Sequence, residues 1–276
     1  MYSGSTLKQL KLVDTWLGAH QKIDRVAYKR LSELVNDNQL GTFPRAKSIL
    51  RFEGMDGPDG IKRKTPAQDE PWHYYDPSDS TDKQLLGIIE EHYQVLVDAL
   101  RAGNKTRAAF EAAWLSHALV DGLTPAHHYP YEEELMRLRG GEGIETRTSP
   151  KEKVLMPGDT ISSQLRNNWQ MWGDKGLLAT HIAFEVGVAV VILPLRLRRA
   201  RPTDEELALI GLKNGYLYHF ESQAQAIAEL KLYEQFYKNA WTPKLARQVR
   251  RELAPRIVNT VALTWYAALQ EAQERA

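Results

Sequence analysis

A chain of 276 residues, 43% hydrophobic and 26% charged, has the composition of a globular protein and is long enough to bury a sizeable core. It has no cysteine, which excludes disulfides, thiol catalysis, iron–sulfur clusters and cysteine-based zinc motifs, so any metal must be held by histidine and carboxylate. With 36 Lys and Arg against 35 Asp and Glu, no bulk positive field marks a non-specific nucleic-acid binder or an anionic-membrane binder.

The N-terminal stretch MYSGSTLKQLKLVDTWLGAH has neither a basic leader nor an uninterrupted apolar core, so no secretory signal is expected and the compartment stays open. Helical periodicity begins there: Trp16, Ile23, Ala27, Leu31 and Leu34 share one stripe of a helix predicted over 16–35. Residues 52–80, rich in Gly, Pro and Asp and without alternation, read as a long ordered loop of the kind that carries function. A second helix is predicted over 81–102, capped by Ser80 or Thr81, and Asn104 caps a third that runs to about Val120. The charged, glycine-rich segment 140–158 reads as a flap. Asp159 or Thr160 starts a fourth helix, and residues 177–193 form a fifth.

The longest apolar stretch, 179–195, is slightly short for a membrane span and carries His181 and Glu185. A charge near mid-bilayer costs roughly 3 kcal/mol, so this stretch is read as a buried core helix and no transmembrane segment is expected. The basic run Arg196–Arg201 reads as a solvated helix end and linker. Thr203-Asp-Glu-Glu206 is a capping box that opens helices over 204–237 and, after Trp241-Thr-Pro, over 243–273. Strand signals are nearly absent, and the expected architecture is a single all-α domain over 1–276 with functional loops.

The chemistry gathers in Trp114-Leu-Ser-His-Ala-Leu-Val-Asp-Gly-Leu-Thr-Pro-Ala-His-His128. His117 and Asp121 are four apart on a predicted helix, so both leave one face, and His127 follows the helix stop at Pro125. His181 and Glu185 repeat the imidazole–carboxylate spacing in apolar flanks, where a cation would relieve the cost of burying the acid. His20 and Asp24 form a third such pair, and the long loop adds Gly57-Pro-Asp-Gly-Ile61 and Pro71-Trp-His-Tyr-Tyr-Asp-Pro77. Each pair alone is ordinary. Five of the eight histidines so placed, in a chain without cysteine, point to a metal. Zinc, which takes three or four N/O ligands, suits this set better than oxygen-preferring calcium. His92, on a face expected to be exposed, and His219, between aromatics, read as structural.

This ordered set, an early His, an Asp/His loop ending in His-Tyr-Tyr-Asp-Pro, HxxxDxxxPxH and a downstream HxxxE, resembles the zinc-dependent phospholipase C superfamily, which includes the single-strand-specific zinc nucleases. The resemblance covers roughly residues 16–190. It implies an all-α domain with zinc ions in a cleft. By motif, Asp59, His73, His117 and Asp121 would hold one ion, Asp121 would bridge to a second served by His20, and His127, His181 and Glu185 would hold another. Asp59 is preferred to Asp56 because it lies 14 residues before His73, and His127 to His128 because it lies two after Pro125. The family completes one ion with an N-terminal tryptophan, whereas this chain begins at Met1 and its nearest tryptophan is the internal Trp16; two or three zinc ions are therefore expected.

The activity implied is hydrolysis of a phospholipid or other phosphodiester, with Asp59 or the metal-activated water itself as base. A single-strand nuclease of the same fold is the alternative, and Trp72, Tyr74, Tyr75 and Tyr129 would serve either substrate. A non-catalytic, zinc-stabilised helical binding protein is the alternative of another class. Residues 200–276 carry no motif and are expected to be scaffold or lid.

Overall fold

A computed structural model describes residues 18–54, 57–198 and 200–274 of the chain; Trp16 and Asp56 lie outside these. The described residues are helical, with no strand among them. In chain order the helices are α1 (Ala19–Leu34), α2 (Asp37–Thr42), α3 (Ala46–Arg51), α4 (Pro58–Lys62), α5 (Gln84–Arg101), α6 (Lys105–Gly122) and α7 (Tyr131–Leu138). They continue as α8 (Pro150–Val154), α9 (Ile161–Trp172), α10 (Leu177–Ile192), α11 (Asp204–Ile210), α12 (Gly215–Glu229), α13 (Leu232–Asn239), α14 (Pro243–Gln248) and α15 (Ala254–Glu274).

Local chemistry accounts for several boundaries. Asn104 accepts a hydrogen bond from the Arg107 amide at the start of α6, and Thr160 and Thr203 close capping boxes on α9 and α11. α5 begins at Gln84 rather than after Thr81, because the Asp79 carboxylate takes the Thr81 amide and hydroxyl into a turn of its own. The helical region predicted over 204–237 is three helices, α11, α12 and α13. Asn214 (φ 57°) and Lys231 (φ 51°) adopt the left-handed conformation at the two joints. At the first joint a Cβ on Gly215 would lie 2.0 Å from the Leu209 carbonyl oxygen, so only glycine fits. The last predicted helix is also interrupted, by a π turn at Val249–Leu253. There Pro255 lacks the amide that would bond Arg251, and the ladder widens.

One apolar cluster runs from Ala19 to Ala272. Its axis is α15, buried along most of its length and packed on α1, α5, α6, α11 and α12. Trp265 is wholly buried there and donates its indole N–H to the Ala112 carbonyl of α6 at 3.1 Å. The α6 face toward α5 and α15 carries Ala108, Ala109, Ala112 and Ala113, whose small side chains permit this close packing. α15 is thus part of the scaffold.

The stretch Ile161–Ile192 is long and apolar enough to cross a membrane by length and composition, but it is two helices broken at Gly173–Gly176. α10 differs from the fully buried helix expected: Phe184, Val188 and Ile192 face the core while Ile182, Val186 and Val190 face outward. The 140–158 segment is pinned as a wall. Arg139 bonds the Glu152 carbonyl at 3.0 Å, Arg147 pairs with Glu132, and the Lys153 ammonium bonds the Thr65 carbonyl and Glu70, each at 2.6 Å.

Candidate metal centre

Five elements deliver the ligand-capable side chains to one place. α1 supplies His20, the 52–80 segment Glu53, Asp59 and His73, α6 His117 and Asp121, the turn Pro125–His128 His127, and α10 His181 and Glu185. All eight residues singled out from the sequence are brought together. On α6, one turn separates His117 from Asp121, and His117 Nε2 lies 3.2 Å from Asp121 Oδ2. Asp121 Oδ1 is 3.2 Å from His20 Nε2 and 3.7 Å from His127 Nδ1, so this one carboxylate reaches three imidazoles. His127 Nε2 and His181 Nε2 face Glu185 Oε1 at 2.9 and 3.3 Å. Asp59 Oδ1 is 3.7 Å from His117 Nε2, and the His73 ring lies 5.0 Å from that of His127.

Among the described residues, two groups have donor atoms spaced to hold an ion: His20, Glu53 and His117, all buried, and His127, His181 and Glu185, the last half-buried. Glu53 was not singled out from the sequence. It is buried, and its Oε1 lies 2.9 Å from His117 Nδ1 and 3.3 Å from His20 Nδ1. The only sequence signal was an acid inside the loop already suspected, without periodicity or a paired histidine to distinguish it from Asp56 or Asp59. Glu53 admits two roles toward a cation: a ligand on the Nδ1 side, or the outer carboxylate that orients both imidazoles while their Nε2 atoms face Asp121.

The electrostatics favour a cation. Burial would lower the His117 imidazole, but the carboxylates of Glu53, Asp121 and Asp59 outweigh it and push it up to about 10. Burial would raise Asp121, whereas the His127 and His117 imidazoles and the Lys62 ammonium act to lower it. Asp59 behaves likewise, with Lys62 and His117 overcoming its burial. Burial pulls His127 down to about 4, toward the neutral form that ligates metals. Among the described residues, Glu53 Oε2, His117 Nε2 and His127 Nδ1 are buried and make no hydrogen bond. Buried donors of this kind, on imidazole and carboxylate, fit zinc.

The remaining histidines and Asp24 lie aside from the centre. His128 bonds the Gly122 carbonyl at 2.9 Å, His92 the Glu111 carboxylate at 2.6 Å, and His219 is buried in the core. Asp24, spaced to pair with His20, instead accepts from the Ser116 hydroxyl behind the site. Its burial and the Glu53 charge hold its carboxyl well above the usual range.

A cleft of about 340 Å³ opens over the centre, lined by Lys62, Arg63, His73, Tyr74, Tyr131 and His181 among others. Tyr74 and Tyr131 stack at 5.5 Å on its wall. Of the other aromatics near the motif, Tyr75 turns inward against Phe220, while Tyr129 is partly exposed beside a neighbouring cavity of about 510 Å³ that holds none of the eight residues. Comparison with protein-family models, curated proteins and solved structures finds no match to this chain.

Proposed function

We propose that this protein is a zinc-dependent phosphoester hydrolase with a fold of the zinc-dependent phospholipase C type. The observation that carries the proposal is the convergence, from five separate elements, of five histidines and four carboxylates beneath a cleft large enough for a phosphodiester. Zinc, when bound, supplies a Lewis acid that polarises the phosphoryl group and lowers the pKa of water to about 7.

The chain's own residues supply the rest. Asp121 ties α1, α6 and the Pro125 turn into one rigid ligand frame. Glu53 sets the rotation of His20 and His117. Tyr74 and Tyr131 shield one side of the cleft from water, and the cations of Lys62, Arg63 and Arg147 line it where an anionic substrate would lie. Asp59, 3.1 Å from the Lys62 ammonium, is held ionised, which suits it to a cation better than to the role of base.

The nearly neutral chain favours a phospholipid or small phosphodiester over a nucleic acid. Zinc-loaded protein is therefore to be assayed on phosphatidylcholine vesicles and on single-stranded DNA across a salt series. Head-group release that is lost in His117→Ala supports the reading. Salt-sensitive cleavage of DNA alone identifies the nuclease. Bound zinc without hydrolysis of either substrate leaves the zinc-stabilised binding protein.

A further inference from the structure

Lys62 stands in the corner of the centre where three donors meet. Its Nζ lies 3.1 Å from Asp59 Oδ1 and 3.6 Å from Asp121 Oδ2. The same two oxygens lie 3.7 and 3.2 Å from His117 Nε2. An ammonium thus meets two carboxylate oxygens beside an imidazole nitrogen, and its side chain is only 18% exposed. The placement follows from the chain: α4 is a single turn, so Asp59 and Lys62, three apart, leave it on one side. The backbone is held as well, because the Lys62 carbonyl accepts from the Lys153 ammonium, which also bonds the Thr65 carbonyl and Glu70.

The Lys62 ammonium already stands at the two carboxylate oxygens that an ion in this corner would need. A divalent ion on Asp59, Asp121 and His117 Nε2 would sit within a few ångströms of Nζ, in surroundings that screen charge far less than water does. The geometry points to Lys62 as a built-in cation that fills this corner, so that the protein holds two zinc ions, at the His20–Glu53–His117 and His127–His181–Glu185 groups, and not three. This rests on the reading of the site as a zinc centre. It also makes the corner's positive charge permanent, beyond the reach of a chelator.

The test is zinc content by mass spectrometry after reconstitution with zinc chloride and gel filtration, on wild type, Lys62→Met and Lys62→Arg, with circular dichroism confirming helix content. About two ions per chain in wild type and Lys62→Arg, rising to about three in Lys62→Met, is the expected result. About three ions in wild type, or no rise in a folded Lys62→Met, overturns the inference and leaves the zinc reading intact. Fewer than about two ions in wild type overturns both. If Lys62→Met does not fold, zinc-dependent shifts in the melting temperature of Lys62→Gln decide: an additional zinc-binding transition supports the inference, and a wild-type titration curve overturns it.

Discussion

The imidazoles of His20 and His117 stack with their centroids 4.1 Å apart and their planes 8° from parallel, and the pair is clamped between two acids. Glu53 addresses both Nδ1 atoms and Asp121 both Nε2 atoms. The stack joins α1 to α6 through their polar atoms, and it makes each acid answerable for two histidines at once.

Removing one histidine should therefore separate the two groups of ligands. His181→Ala is expected to lower zinc content by about one ion and leave the His20–Glu53–His117 group loaded; His20→Ala should do the reverse. Asp121→Asn, which touches His20, His117 and His127, should weaken both. Zinc content and competitive chelator titration of the three variants check this.

Glu53→Gln keeps the shape of the side chain but removes the charge facing two imidazoles. Zinc affinity at the His20–His117 group should fall by about 10- to 100-fold, as for lost outer carboxylates, with helix content unchanged. A chelator-buffered zinc titration measures it. If Glu53 is a direct ligand, the loss should exceed that range.

His219 lies outside the centre, and burial pulls it to about 4. Its unfolded value is about 6.5. Below that pH the unfolded chain takes up a proton that the folded one resists, so stability should fall as pH drops from about 6.5 to about 4, by up to about 3 kcal/mol. Urea denaturation at stepped pH should show a weaker dependence in His219→Phe over that window.

Gly187 on α10 packs under Trp241: a Cβ there would lie 2.0 Å from the indole. Gly187→Ala should destabilise the protein by about 1–3 kcal/mol through overpacking. Gly87 on α5 has open space, and Gly87→Ala should stabilise by about 0.4–1 kcal/mol. Thermal melts of the two variants should move in opposite directions.

The helices and the histidine–acid pairs were legible because both obey a local period. His117 with Asp121, and His181 with Glu185, declare themselves within one turn of helix, and the Asn104 and Thr203 caps stand next to what they cap. Glu53 was not legible, since its relation to His20 and His117 exists only after α1, α6 and the loop have packed. Lys231 is hidden for a different reason: a lysine carries no sign of left-handed backbone, so the joint between α12 and α13 has no mark in composition. The outward face of α10 was hidden too, because a helix apolar all round does not say which side meets the core.

α1 and α15 pack on each other, though of the described helices one is synthesised first and the other last. A growing chain therefore carries His20 through nearly the whole of its translation without the α15 face on which its helix packs. Ligands from α6, the Pro125 turn and α10 emerge in between. A polypeptide arrested before Ala254 would therefore offer zinc the His127–His181–Glu185 group while α1, and His20 on it, lack their α15 support.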